Sequence, residues 1–484
     1  MKILILALLL FTYSNKNIQA LPIDWQGEIT FDSHYLSNAR LIENTADNSN
    51  SDVGSYEISN NSTGDNEASF QSYIFKLNPT IIISDSVIIK SEISNGQARG
   101  GRLGDDSATN FGNETKPSRY YTNLPSGTNF LNLNQIYAQI YGTTANYVVG
   151  RHPVHWGLGA VVNNGQSSKD RFSTIRDGLT AKIKLGKFSI EPFIARSFTG
   201  DSLSSLSAQK ELGGSLMFHS IESGMRIGVY YSSITTGQNE SQRQSDVSDT
   251  GTNSSYGEGK LKVTDFYFEK EFNKFSLQVE LPIFSGTIGN VFQNGSDTNI
   301  DSQAIIGRLT YNHGPKWSLV STFGRVNGED GESGTFESFS LHPNFQVSNV
   351  MFNYNRSAIW NTQNNVFDSS ISNSTFLDVD LVHENNASTW RLGFTYALAI
   401  ETAKTGSNAF NHSTGKIYTA VADQSDDLGF EIDLDYRYQL TSETSVDLNL
   451  AYFSPGDFYA FTNSANENQL ESTYLFNVGT TISF

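Results

Sequence analysis

The sequence lacks cysteine and, beyond its first residues, any long apolar run. Without cysteine, a disulfide framework, a thiolate metal site and a lipid-modified N-terminal cysteine are excluded. No later segment approaches the roughly 18 consecutive apolar residues of a membrane-spanning helix, so a helical membrane protein is excluded. Cations are scarce too: 32 Lys and Arg oppose 50 Asp and Glu, and the net charge of −18 argues against nucleic acid as a partner.

Aromatic residues, by contrast, are plentiful. Only 37% of the chain is hydrophobic, yet aromatics make up 12% of it, with 22 Tyr and 32 Phe. A transmembrane β-barrel needs only alternate residues to be apolar, so it combines low overall hydrophobicity with many aromatic side chains. A soluble, secreted all-β protein is the structural alternative.

The N-terminus has the pattern of a secretory signal peptide. Met1 and Lys2 precede an apolar run over residues 3–11, and a polar stretch then ends at Ala20. A charged start, a short apolar region and a small residue at the exit are typical of such peptides. We expect residues 1–20 to be the signal peptide and residues 21–484 to be one barrel domain. The alternative is a buried N-terminal helix.

The C-terminus has the pattern of a strand with one apolar side. Large apolar residues alternate with small or polar ones, a period of two that predicts a half-buried strand. The apolar set is Tyr474, Phe476, Val478, Thr480, Ile482 and Phe484. A chain ending in such a strand resembles bacterial outer-membrane β-barrels. That resemblance implies an outer-membrane location and makes Phe484 part of the signal read by the barrel-assembly machinery.

The rest of the chain repeats a unit of strand, short turn, strand and long polar loop. Short turns on one side and long loops on the other are typical of transmembrane barrels. We predict a single antiparallel barrel of twenty strands, with eighteen as the alternative. The difference depends on residues 335–341 and 347–354, which make twenty if they form a hairpin of the wall.

Alternation along the predicted strands points a set of charged residues into the lumen, because charges on the lipid face are costly. The predicted acidic pore-lining residues are Glu280, Asp378, Asp380, Glu431, Asp433, Asp435 and Asp447, and the basic ones are Arg226, Arg391 and Arg437. They either only hydrate the lumen or bias a pore toward cations. Calcium binding is disfavoured, because ligands two residues apart on a flat strand do not converge on one ion.

A distinctive Gly-rich segment follows the fifth predicted strand. Residues 149–159 read Val-Gly-Arg-His-Pro-Val-His-Trp-Gly-Leu-Gly, which predicts a sharp corner and a compact loop. The predicted inward-loop candidates are Arg151, His155, Trp156, Arg171 and Asp177. The loop either braces the wall and narrows the pore or contacts a solute directly. His152 and His155, three residues apart in an irregular loop, are a weak metal pair.

Three motifs are similar to those of porin-like barrels of the alginate-export type. They are the Gly-Arg strand end at residues 150–151 with the Arg-Asp-Gly entry at 176–178, Leu-His-Pro-Asn-Phe at 341–345, and Tyr-Phe-Ser-Pro-Gly at 452–456. The resemblance implies a porin-like barrel. Exporters of anionic polysaccharide have a basic lumen, whereas the lumen predicted here is acidic, which argues against alginate itself as the solute.

Enzymatic motifs are missing: the sequence contains neither Gly-x-Ser-x-Gly nor His-Glu-x-x-His. We therefore expect a channel and not an enzyme, without cofactor or bound metal. It would pass small hydrophilic solutes by passive diffusion and lean toward cations. Its expected partners are outer-membrane lipids, lipopolysaccharide and the assembly machinery. The alternative is a surface receptor or adhesin on a plugged barrel.

Overall fold

The computed structural model describes residues 22–38, 41–44, 67–95, 99–102, 131–198, 208–236, 259–289, 298–330, 335–354, 356, 370–411, 416–461 and 469–484. The predicted signal peptide lies outside them. Within these ranges we find no helix with the length and apolar character needed to cross a membrane.

Eighteen antiparallel strands form one closed sheet. They are β1 Gly27–Leu36, β2 Ala68–Leu77 (continued by Thr80–Ser84), β3 Val87–Asn95, β4 Leu131–Tyr141, β5 Ala145–Pro153, β6 Ile175–Leu185, β7 Phe188–Phe198, β8 Ala208–Ser220, β9 Met225–Thr236, β10 Gly259–Glu271, β11 Phe275–Gly289, β12 Thr298–His313, β13 Trp317–Val326, β14 Ser374–Glu384, β15 Ser388–Ala399, β16 Asp427–Gln439, β17 Thr444–Pro455 and β18 Thr473–Ser483.

The barrel closes between its first and last strands. Strand β1 pairs antiparallel with β18, and Ile29 lies opposite Ile482. Every other strand pairs with its neighbours in the chain, so none of these eighteen described strands has an unpaired edge. The backbone nitrogen of Gly27 donates to the carbonyl of Phe484 at 2.7 Å, and the Phe484 nitrogen returns a bond to Gly27 at 3.0 Å. The terminal residue therefore completes the seam.

The predicted asymmetry of connections is confirmed. Pairs such as β6–β7 and β10–β11 are joined by turns of a few residues, whereas β5–β6 and β13–β14 are joined by long segments. We call the two ends of the barrel the turn end and the loop end. This is the arrangement of transmembrane barrels, in which short turns and long loops lie on opposite sides of the bilayer.

The predicted alternation along the strands is also confirmed. On β18, Tyr474 and Phe476 point outward and are about half exposed, whereas Leu475 between them is buried. On β16, Ile432 and Leu434 are likewise exposed on the outer face. The outer face is therefore largely apolar, as a barrel in lipid requires.

The prediction of twenty strands is wrong, and the alternative of eighteen holds. Residues 335–354 form no wall hairpin. Thr335–Phe336 pairs in parallel with Asn299 and Ile300 of β12, and Ser340 forms an isolated bridge with Ser372. Met351–Asn353 form a single 3₁₀ turn. The apolar residues that resembled a strand are buried within the barrel, with Met351 and Phe352 fully inaccessible. In a segment that is buried on all sides, apolar and polar residues need not alternate. The apolar residues of this segment were therefore wrongly interpreted as a strand of the wall.

Candidate functional site

In the ranges that the structure describes, at least two connections between strands fold into the lumen. The first inward segment is residues 154–174, between β5 and β6, and the second inward segment is residues 335–354, between β13 and β14. The two segments contact each other. The His342 nitrogen donates to the Ala160 carbonyl at 2.7 Å, and the Asn344 side chain donates to the Phe172 carbonyl at 2.8 Å. Together they fill part of the space inside the wall.

Glu280 on β11 anchors the first inward segment. Its carboxylate accepts from the Leu158 backbone nitrogen at 2.5 Å, and the N–H groups of Ala160 and Val161 also face it. Successive N–H groups converge in this way where the backbone enters left-handed conformations, and Gly157 has φ +56°. A Cβ on Gly157 would lie 2.4 Å from Glu280 Oε2, so this corner requires glycine.

An aromatic wall supports the same segment. The Trp156 ring lies 5.9 Å from the Tyr230 ring and 6.4 Å from the Tyr267 ring, centroid to centroid. Phe193 and Val263 complete this small buried cluster. The structure thus places Trp156 inside the barrel, in a bracing position against the wall.

Basic side chains hold the far end of the first inward segment. Arg171 is buried and donates to the Tyr73 carbonyl at 3.1 Å. Arg99 donates to the Gly165 carbonyl at 2.7 Å and forms a two-bond ion pair with Glu92 at 2.7 and 2.8 Å. Sequence reasoning identified Arg171 but missed Arg99, which lies just beyond a strand, where alternation gives no signal.

Glu431 on β16 anchors the second inward segment in the same manner. Its Oε1 atom accepts from the backbone nitrogens of Asn349 and Val350, both at 2.8 Å, and its Oε2 atom accepts from Met351 at 2.5 Å. Glu431 is fully buried. Two wall carboxylates therefore each hold a cluster of backbone N–H groups, one in each inward segment.

Arg391 forms ion pairs with three carboxylates near this anchor. Its three nitrogens contact Asp380 at 2.7 Å, Asp433 at 3.1 Å and Asp435 at 2.7 Å. The Asn349 amide also donates to Asp433 and Asp435, at 3.0 Å each. This group of predicted residues converges on one guanidinium, an ion-pair network that stabilises the second inward segment.

The remaining predicted charges also lie on inward positions. Asp378 accepts from the Thr395 hydroxyl at 2.9 Å. Asp447 contacts Arg437 at 2.6 Å and Lys169 of the first inward segment at 3.7 Å. The structure thus brings the acidic residues inside, mostly beneath protein atoms. Their role in lining a pore stays a prediction.

In several ion pairs at inward positions the cation is the more exposed partner. In the pairs Arg226–Glu269 and Arg437–Asp447 the arginine side chains are 48% and 44% exposed, whereas the carboxylates are 9% and 5% exposed. Lys169 follows the same pattern. In these pairs the cation, and not the carboxylate, is the exposed charge.

Two of the predicted inward-loop residues are misplaced. Arg151 lies on β5 and Asp177 on β6, directly opposite each other and joined by an ion pair of 2.7 Å. They share the outward side with Val149 and Leu179, both exposed. The prediction failed because β5 extends beyond the glycine corner at Gly150, which keeps Arg151 in the wall.

Two histidines meet where the inward segments touch. Burial lowers the pKa of His342 to about 4, with the nearby His155 and Arg99 acting in the same direction. Burial also lowers the pKa of His155. Both imidazoles are therefore neutral at pH 7. No group of three or more possible metal ligands occurs in the ranges that the structure describes.

No protein-family model and no functionally curated protein matches the chain in sequence. Solved structures do match its fold. The chain is similar to OccK9 (OpdG) of Pseudomonas aeruginosa, with a TM-score of 0.50, 11% identity and coverage of 96% of this chain and 98% of that one. It is also similar to a BenF-like porin of Pseudomonas fluorescens Pf-5, with a TM-score of 0.48, 10% identity and coverage of 95% and 99%. At this identity the likeness to OccK9 establishes a shared fold, a closed eighteen-stranded antiparallel barrel.

Proposed function

We propose that this chain is a channel of the bacterial outer membrane through which small hydrophilic solutes diffuse passively. The observation that carries the proposal is the pair of inward segments, joined at His342–Ala160 and Asn344–Phe172, inside a barrel with an apolar outer face. A wall built to face lipid and two anchored segments within it together suit selective diffusion. The motif resemblance to alginate-export-type barrels supports the same class without naming a solute.

The exposed lumen charges favour anionic solutes. Among the lumen-facing ion pairs of the described ranges, Lys169, Lys182, Arg226 and Arg437 have side chains more than 30% exposed, and Glu191 alone does so among the carboxylates. An exposed charged side chain interacts with a passing ion, whereas a buried carboxylate interacts mainly with hydrogen-bond donors of the protein itself. This argues for an anion preference, in place of the cation preference expected from composition.

A plugged surface receptor or adhesin is the competing function, since the inward segments fill part of the lumen. We also include outer-membrane lipids and the barrel-assembly machinery among the partners, the latter through the strand ending at Phe484. The predicted removal of residues 1–20 belongs to the same proposal. No catalytic role is proposed.

The test is solute uptake by proteoliposomes containing the refolded barrel. We expect small neutral sugars to enter, anionic solutes to enter faster than cationic ones of equal size, and a large dextran to stay out. The variant K169Q/R226Q/R437Q should lose the anion preference and still admit neutral sugars. Absence of all uptake by folded, inserted protein would overturn the channel in favour of the plugged receptor.

A further inference from the structure

The outer surface carries a concentrated group of cations at the loop end. Arg196 on β7, Lys210 on β8, and Lys260 and Lys262 on β10 are all exposed. We call these four the outer basic patch. They share the outward side with Ile194 and Leu212, which are about 60% exposed. The patch is thus on the lipid side of the wall, outside the lumen and its inward segments.

Strand register places three of these cations in one row. Arg196 lies directly opposite Lys210, Lys210 opposite Thr235, and Thr235 opposite Lys260. With strands about 4.8 Å apart, the row spans roughly 14 Å. Lys262 is two residues farther along β10, one row nearer the middle of the barrel. An anion placed over this row can contact cations on three strands, β7, β8 and β10.

Two exposed apolar side chains, Ile194 and Leu212, lie directly beneath the cations. The row below runs from Ile194 through Leu212 and Ser233 to Lys262. Cationic heads above exposed apolar side chains match an amphiphile with an anionic headgroup and acyl chains. Acidic residues mark the two sides of the patch: Asp177 on β6, which pairs with Arg151, and Asp301 on β12, opposite Ser285.

We propose that the outer basic patch binds the phosphorylated headgroup of a glycolipid in the outer leaflet, with acyl chains along Ile194 and Leu212. Arginine and lysine near a membrane surface attract anionic lipids, and guanidinium groups bind phosphate in a two-bond geometry. This inference depends on the proposed outer-membrane location, because the loop end must face the outer leaflet.

The test is lipid binding by the refolded full chain in detergent. The probe is diphosphorylated lipid A, and fully dephosphorylated lipid A is the comparison ligand. The patch variant is R196Q/K210Q/K260Q/K262Q. The matched control, K187Q/K270Q/K274Q/K316Q, removes the same charge at the turn end. We expect the patch variant to bind diphosphorylated lipid A at least about tenfold more weakly, and the control to bind as wild type does.

Three results would overturn the proposal: equal binding by the patch variant and wild type, equal binding of the dephosphorylated lipid, or equal loss in the control. Competition by inorganic phosphate separates a headgroup site from a free-phosphate site. Millimolar phosphate that displaced the lipid completely would overturn the glycolipid assignment. Conductance of the same variants is measured in parallel, because the patch is outside the lumen. If the patch variant loses lipid binding and keeps its conductance, the lipid site is supported. If the wild-type protein binds lipid but does not conduct, only the proposed channel function is contradicted.

Discussion

The Oε2 atom of Glu431 lies 2.5 Å from the backbone nitrogen of Met351, so a wall carboxylate holds a turn in the middle of the lumen. Glu280 makes the equivalent contact with Leu158. Each inward segment thus depends on one buried carboxylate, and loss of either anchor should alter that segment while the barrel persists.

Replacing Glu431 by Gln should loosen the second inward segment. The amide keeps one acceptor but presents an N–H group toward a backbone nitrogen that was a donor. Hydrogen bonds to a charged acceptor contribute about 1.5–3 kcal/mol each. We expect larger conductance and a noisier open state in single-channel recordings. Glu191→Gln, which changes an exposed lumen carboxylate, is the control and should leave the noise unchanged.

Replacing Gly157 by Ala should displace the first inward segment. Gly157 has φ +56°, and an added Cβ meets Glu280 Oε2 at 2.4 Å. Gly186, in the β6–β7 turn, has φ +62° with nothing within 4 Å, so Gly186→Ala has the same backbone strain of about 1–2 kcal/mol without the clash. We expect altered solute uptake for Gly157→Ala only. Identical uptake by the two variants would contradict the assignment of Glu280 as an anchor.

Replacing Arg391 by Gln should destabilise the barrel strongly. It leaves Asp380, Asp433 and Asp435 without their shared cation, and breaking a buried ion pair costs about 3–5 kcal/mol. The matched change Arg226→Gln removes a cation whose side chain is 48% exposed and should cost about 0–1 kcal/mol. Denaturant unfolding in detergent compares the two. Similar midpoints would show that the network contributes little.

Acid should weaken the contact between the inward segments. The pKa of His342 is about 4 in the folded protein, against 6.5 for the free side chain, so the unfolded state binds more protons between these values. Stability is therefore fully present above pH 6.5 and declines as the pH falls toward 4. Open-state noise should rise over this window. His342→Asn should reduce the dependence of the open-state noise on pH. His219→Asn, at the turn end, should leave that pH dependence unchanged.

The wall was predictable from sequence because each wall strand faces two different environments. Tyr474 and Leu475 show this directly: one is exposed on the outer face and the other is buried inside. The inward position of Glu280 and Glu431 followed from the same alternation. Their partners did not, because the inward segments have no period, and Met351 in the second of them is buried on every side. The exposure of each charged side chain could not be predicted either. A count of charges in the sequence does not distinguish the exposed Arg437 from the buried Asp447.

The reversal potential of the refolded barrel in a planar bilayer under a KCl gradient tests the central claim most directly. We predict stable conductance steps with a chloride-favouring reversal potential, which shifts toward zero in K169Q/R226Q/R437Q. Silent bilayers containing inserted, folded protein would contradict the channel. A potassium-favouring potential would contradict the assignment of exposed lumen cations as the selective charges.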